Sequence, residues 1–264
     1  MSIRNQLLNE ICAEKGIKIE YFSQDYILRL SKGGKARHIF GPYWDLNSAC
    51  ADRLACDKAG CYTIMHNSGV PAIEHIIIYN PIRWTYLLDE NGTMKKALEY
   101  LEAHRKVVVK PNQGAQGRDV CFCETPLALE HAMHSIFTTE PDAALSPYHE
   151  IYTEYRVFYL NGRAHFCYGK TKGEDGKHNL SQGAKAFEVN DNSLRGKLAE
   201  LAVQAARSIN INFASIDIAL LENNALSIME INAGVQAQHL LEQMPHRRNT
   251  VKAIYAEAVE LMLG

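Results

Sequence analysis

The spacing of apolar positions changes several times along this chain, and each change marks an element. Over residues 4–14, Leu7, Leu8, Ile11 and Cys12 recur at helical spacing, and Gly16 follows where a helix end favours a left-handed residue. The runs 17–22, 26–30 and 36–40 are short and apolar or aromatic and predict strands, with Lys32-Gly33-Gly34-Lys35 turning between the last two. Those glycines read as a turn rather than a phosphate loop, because no helix start follows them. A helix is expected from Asn47 to about Asn67, a strand over 73–78 and an amphipathic helix over 93–104. A buried strand at 106–111, a second strand at 119–123 and a helix over 125–137 come next. From 144 onward the chain is largely strand, at 144–149, 153–160 and 163–170, with Asn161-Gly162 as a hairpin turn. A helix over 192–209, strands at 213–221 and 225–232, and a final helix over 247–262 complete the pattern. No repeat or low-complexity linker interrupts it. The mixture predicts an α+β protein with antiparallel sheets.

Pairing the last two strands exposes chemistry. With Asn223-Asn224 as a two-residue turn, Asp217 lies opposite Glu230 and Ser215 opposite Asn232, while Ile218 meets Met229 and Ile216 meets Ile231 on the other face. Opposed side chains in a sheet sit about 5 Å apart, and like charges at that distance repel. A cation or a shared proton would offset the repulsion. An oxygen-only donor set suits magnesium or manganese rather than zinc. A solvated acidic face beside a lysine is the alternative that spacing leaves open.

Composition narrows the function classes. Hydrophobic residues make up 47% and charged residues 22% of 264, enough to build a core. The formal charge of −2 is spread without a basic tract, so a nucleic-acid backbone is not an expected partner. No run approaches membrane-span length. The seven cysteines are odd in number and form no C-x-x-C pair, and the N-terminus lacks a signal-peptide core, so reduced thiols and a cytoplasmic location are expected. His131 and His134 stand one helical turn apart, but a pair without a third ligand reads as structural.

The strand at 106–111 runs into Asn112-Gln113-Gly114-Ala115-Gln116-Gly117 and then another strand, a strand-loop-strand unlike a Walker or Rossmann turn. Such a loop can offer N–H donors to phosphate, with Lys110 as a point charge, although the loop taken alone reads better as a plain hairpin. The segments VVVKPNQGAQGRDV, TEYRVFYLNGR, KHNLSQGAKA, ASIDIALL and SIMEINAG, in this order, resemble the ATP-grasp superfamily. The similarity is to ribosomal-protein glutamate ligases and to the ATP-grasp modules of cyanophycin synthetase and bifunctional glutathione synthetase. It covers roughly 35–264 and includes an Asp-Lys pair and a Gly-Val-Pro upstream.

The resemblance implies two α+β subdomains clasping ATP (79–146 and 147–264) after a short N-terminal segment (1–78). It implies that Lys58 and Lys110 contact the ATP phosphates, that Gly114 and Gly117 belong to the closing loop, and that Glu154 holds the ribose. The adenine hinge falls near Ser146 to Tyr148, although Pro147 and Tyr148 replace the family's usual pattern there. Arg156, two residues beyond Glu154 and hence on its face, corresponds to an arginine facing the transferring phosphate. Without the family, Lys58 reads as a surface lysine and Glu154 with Arg156 as a cross-strand ion pair. Lys170 matches a basic position near the γ-phosphate, yet parity from the Asn161-Gly162 turn puts it on the face opposite Arg156 unless a bulge intervenes. Asn179 matches an asparagine near the metal, with Gln182 replacing a common arginine. Asp217, Glu230 and Asn232 match the magnesium ligands.

The activity implied is ATP-dependent carboxylate–amine ligation through an acylphosphate, on an amino acid or peptide, with Arg156 and a backbone N–H near Gly234 facing the oxyanion. A phosphotransferase and a non-catalytic nucleotide-binding module are the alternatives. The short N-terminal segment suggests a homodimer or a partner completing the acceptor site. Tyr43, Trp44, Gln236, Gln238 and His239 either line the substrate pocket or pack.

Overall fold

Helix α1 (Ile3–Lys15) forms where the first apolar stripe predicts it. The Ser2 hydroxyl accepts the Asn5 N–H at its start, and Gly16 closes it at φ 62. Strands β1 (Lys18–Phe22), β2 (Ile27–Lys32), β3 (Lys35–Phe40) and β4 (Tyr43–Trp44) then make an antiparallel sheet in chain order. The predicted helix over 47–67 is two helices, α2 (Ala49–Cys56) and α3 (Lys58–Asn67). Asp57 breaks it: its backbone is extended, and its carboxylate accepts the Gly60 N–H at 2.8 Å as the N-cap of α3. Lys58 is therefore the first residue of a helix, not a mid-helix surface lysine. This computed structural model describes residues 1–84, 92–114, 118–173 and 178–264.

A middle sheet of order β5-β8-β6-β7 is built from β5 (Ile76–Tyr79), β6 (Val107–Pro111), β7 (Cys121–Cys123) and β8 (Asp142–Pro147). Helices α4 (Gly92–His104) and α5 (Pro126–Thr139) pack on it, burying Ala97, Leu101, Leu129 and Met133 against Val107 and Val109. The boundary expected between 78 and 79 falls inside β5. The link into this sheet runs along the next one: the Ile73 N–H donates to the Ile228 carbonyl, and the Ile228 N–H to that of Pro71.

The largest sheet is β11-β10-β9-β12-β13, made of β9 (Ile151–Leu160), β10 (Arg163–Lys170), β11 (Ala186–Glu188), β12 (Phe213–Leu221) and β13 (Leu226–Asn232). One face packs on α6 (Asn192–Ser208), α2 and α3 through Tyr155, Val157, Ile216 and Ile231. The other packs Phe158, Leu160 and Phe213 against the N-terminal sheet, α1, α7 (Gln238–Gln243) and α8 (Arg248–Leu263). The N-terminal segment thus shares its core with the C-terminal sheet. Strands β4 and β11 and helix α7 were not anticipated, being too short for a periodicity to register.

Two bulges correct the expected registers. In the β12–β13 hairpin, Ile218 pairs with Ile228 rather than Met229, because the loop is the three residues Glu222–Asn224, with Asn224 at φ 61. Met229 then bulges and restores the register, so Asp217 does face Glu230, Ser215 faces Asn232 and Ile216 faces Ile231. In β10 the register shifts at His165, between Ala164 and Phe166, and Lys170 lands opposite Glu154. The parity expectation for Lys170 is overturned: it shares the face of Glu154 and Arg156. The seven cysteines are free. No helix among the described residues is long and apolar enough to cross a membrane.

Candidate active site

The face that buries Phe158 and Phe213 near the N-terminal sheet turns charged two residues further along β9. Arg156 lies directly opposite Asp217, and its guanidinium grips the carboxylate with Nε at 2.7 Å from Oδ1 and Nη2 at 2.5 Å from Oδ2. The Lys170 ammonium, buried, donates to Glu154 and also reaches Asp217 Oδ1 at 3.2 Å. The Asn232 amide nitrogen stands between the two opposed acids, 3.2 Å from Asp217 Oδ2 and 3.1 Å from Glu230 Oε1. The repulsion expected between Asp217 and Glu230 is thus offset inside the chain, by Arg156 and Lys170. Burial opposes the Asp217 charge, yet Arg156 and Lys170 outweigh it and hold the carboxyl at about 2. Burial pushes Glu154 the other way, up to about 7, against the pull of Lys170.

A second cationic group adjoins this ladder. The Lys58 ammonium donates to the Gly114 carbonyl at 2.6 Å and the Asn112 carbonyl at 3.3 Å. Fully buried Asn112 also accepts the Ala59 N–H at 3.1 Å, so it ties the start of the glycine loop to the first turn of α3. Lys110, on β6, is drawn down to about 8 by burial, with Lys58 adding to the fall and Glu230 and Glu154 opposing it. Burial also lowers Lys58, and Glu230 is the strongest attraction that opposes it. Glu230 is thus the acid whose charge acts most on Lys58 and Lys110, and its Oε1 accepts from the Asn232 amide. Gly114 admits no Cβ, which would sit 2.9 Å from Pro111.

A family model described as the RimK-like ATP-grasp domain matches residues 55–245, which contain both groups of charges. The chain belongs to the RimK-like ATP-grasp family. Membership makes it an ATP-dependent ligase that binds nucleotide and magnesium. No curated protein matches it in sequence. Among solved structures it is similar to a D-alanine–D-alanine ligase from Bacillus anthracis solved with ATP, at 14% identity and a TM-score of 0.62, with 82% of this chain and 70% of that one covered. D-alanyl-alanine synthetase A from Vibrio cholerae matches at 9% identity and 0.68, covering 97% and 92%. A bifunctional glutathione synthetase from Pasteurella multocida matches at 13% and 0.61, covering 97% of this chain and 44% of that one. At such identities these likenesses speak for the ATP-grasp fold.

Within this ATP-grasp chain the donor set suits magnesium. Two carboxylates converge on one Asn232 amide nitrogen, and all three residues carry oxygen donors. Asp217, Glu230 and Asn232, with its amide turned, are the residues that would hold the ion. The remaining expected positions lie apart from the ladder. Tyr148 sits between β8 and β9 with its hydroxyl on Glu150 at 2.8 Å and Lys106 over its ring at 4.1 Å; its N–H is taken by the Lys106 carbonyl. Asn179 caps a short turn, accepting the Ser181 N–H at 3.1 Å. Gly117 lies outside the described residues. Trp44 packs in the core against Phe213 and Tyr255, and Gln238 accepts the Ile3 N–H, whereas Tyr43 stays partly exposed beside the ladder strand β13.

His75 was missed by the reading of motifs. It is buried, its Nδ1 is 2.8 Å from the Ile73 carbonyl, and its Nε2 has no partner. Burial first, then Lys110 and Lys58, hold it neutral, well below the usual imidazole range. A single histidine in a strand-like run carries no sequence signal, so only the fold brings it to the lysines.

Proposed function

We propose that this ligase joins a carboxylate to an amine, converting ATP to ADP and phosphate through an acylphosphate. The observation that carries the reading is the convergence of Asp217, Glu230 and Asn232 on one point, flanked by Lys58 and Lys110 and backed by Arg156 and Lys170. A substrate carboxylate attacks the γ-phosphorus of ATP and forms the mixed anhydride, releasing ADP. The amine then adds to the acyl carbon, and phosphate leaves as the amide forms and the amine proton passes to solvent or phosphate.

Lys58 and Lys110 bind phosphate oxygens, and Lys110, at about 8, still carries its proton for the most part at neutral pH. Magnesium, held by the Asp217 set, would supply charge neutralisation for the phosphoryl group. Lys170 and Arg156 balance Asp217 when it holds no ion. Arg156, partly exposed, also faces the charge that develops on the transferred phosphoryl. Gly114 and Gly117 belong to the loop over the phosphates in this reading, Glu154 and Tyr148 to the nucleoside side, and Asn179 to the metal side.

The test is product analysis with pairs of amino acids and small peptides. ADP, phosphate and a new amide must appear in equal amounts, and a phosphorylated product without amide would make the chain a phosphotransferase. One observation favours the non-catalytic reading, that of a nucleotide-binding module: Asp217 is already charge-balanced by Arg156 and Lys170 without metal. ATP bound but never consumed across the panel would select it.

A further inference from the structure

The outward face of the N-terminal sheet carries one apolar row, and that row ends at the site. The register aligns Phe22 with Ile27, Ile27 with Phe40 and Phe40 with Tyr43 across all four strands. Phe22 is 46%, Phe40 54% and Tyr43 37% exposed, and Tyr26, 49% exposed, stands edge-on to Phe40 at 5.2 Å. The parallel row one step away is Glu20, Arg29 and His38, with an ion pair of 3.8 Å between the first two. The apolar character is confined to the row nearest the charged ladder.

Tyr43 joins the two. A Cβ on Gly234, two residues past Asn232, would lie 3.7 Å from the Tyr43 ring and 2.9 Å from Pro42, and the Val235 N–H donates to the Pro42 carbonyl at 3.1 Å. The Tyr43 ring therefore lies beside the turn that follows Asn232, with the other aromatics trailing away from it. Gly41, at φ 54, leaves room for Tyr26, whose ring would lie 2.5 Å from any Cβ there.

Resting on the ligase reading above, we infer that this row binds apolar side chains of a peptide substrate, so that the ligase acts on a peptide rather than a single amino acid. Four strands set about 4.8 Å apart span about 14 Å, the length of about four residues of extended chain. A lone amino acid at the ladder does not reach Phe40 and Phe22. Nor is the row a dimer face: four part-exposed side chains offer a few hundred Å² at most, against about 800 Å² per partner in a stable interface.

The probe is a set of labelled tripeptides with free ends and a central phenylalanine, leucine, glycine or aspartate. Their binding to the full chain is measured by equilibrium dialysis with magnesium, with and without a non-hydrolysable ATP analogue. The phenylalanine and leucine peptides should bind about tenfold tighter than the other two. In Phe40→Ser and Phe22→Ser the preference should vanish while the analogue binds as before. Equal affinity across the four peptides, or a preference that survives both substitutions, overturns the inference. A wild-type dimer that dissociates in Phe40→Ser also overturns it, since the row would then be an interface between copies. Failure of the analogue to bind wild type would instead overturn the ligase reading, and the arm without nucleotide still reads the row.

Discussion

Arg156 and Asp217 face each other from adjacent strands with two parallel hydrogen bonds, of 2.7 and 2.5 Å, and the carboxylate is almost wholly buried. Breaking a buried pair leaves the surviving charges uncompensated. Asp217→Asn strands Arg156 and half of the Lys170 contact, and should cost about 3 kcal/mol of stability, read as a shift in urea midpoint at constant slope.

Glu230 presents the opposite case. It is half-buried and, among the described residues, accepts the Asn232 amide and offsets the charges of Lys58 and Lys110 without a direct hydrogen bond to them, so Glu230→Gln should cost less than Asp217→Asn, about 1 kcal/mol. Under the ligase reading the same change should lower ADP release by about 100-fold, because it removes a carboxylate that would hold magnesium at the phosphates. Undiminished ADP release in Glu230→Gln, measured with substrate present, would remove Glu230 from the site.

Stability should respond to pH through Glu154 in an unusual direction. Its carboxyl is raised from 4.5 to about 7, so between those values the folded chain keeps a proton that the unfolded chain has lost. Stability from this group therefore falls as pH rises through the window, with the full penalty present above about 7. Asp217, lowered from 3.8 to about 2, acts the other way: its contribution is complete above 3.8 and lost as pH falls. Urea midpoints at pH 5, 6, 7 and 8 should show Glu154→Gln gaining on wild type as pH rises. His75, lowered from 6.5, makes both proteins lose stability on acidification and cancels in the difference.

Asn112 is fully buried, and its Oδ1 accepts the Ala59 N–H while its carbonyl holds Lys58. Asn112→Ala leaves that N–H without an acceptor, at about 1–3 kcal/mol. Because the same residue anchors the start of the glycine loop to α3, the KM for ATP should rise in the variant, and an unchanged KM would uncouple the loop from Lys58.

Much of this was legible before any coordinates, for identifiable reasons. Asp217 and Glu230 could be paired because alternating strands read reliably, although the pairing held only through two compensating departures, the three-residue loop at Glu222–Asn224 and the bulge at Met229. Neither leaves a mark in hydrophobic period. The break at Asp57 was hidden because α2 and α3 together look like one amphipathic run, and only the extended backbone at Asp57 separates them. Charge balance was illegible for a different reason: the partners of Asp217 come from strands 47 and 61 residues away. Pairwise spacing within one hairpin does not contain them.

The extra residue at His165 sits in the same hairpin as Asn161 and Gly162, away from every charged group of the ladder. Yet it decides whether the next five side chains alternate in step with Glu154 or out of step. Straightening the strand with that residue kept would pair Gly169 with Glu154 and swing the Lys170 ammonium to the α6 side, leaving two acids without their shared counter-ion. Deleting His165 would remove the extra residue and the bulge together and keep Lys170 opposite Glu154, so the hairpin tolerates a shorter strand but not a regular one of the same length.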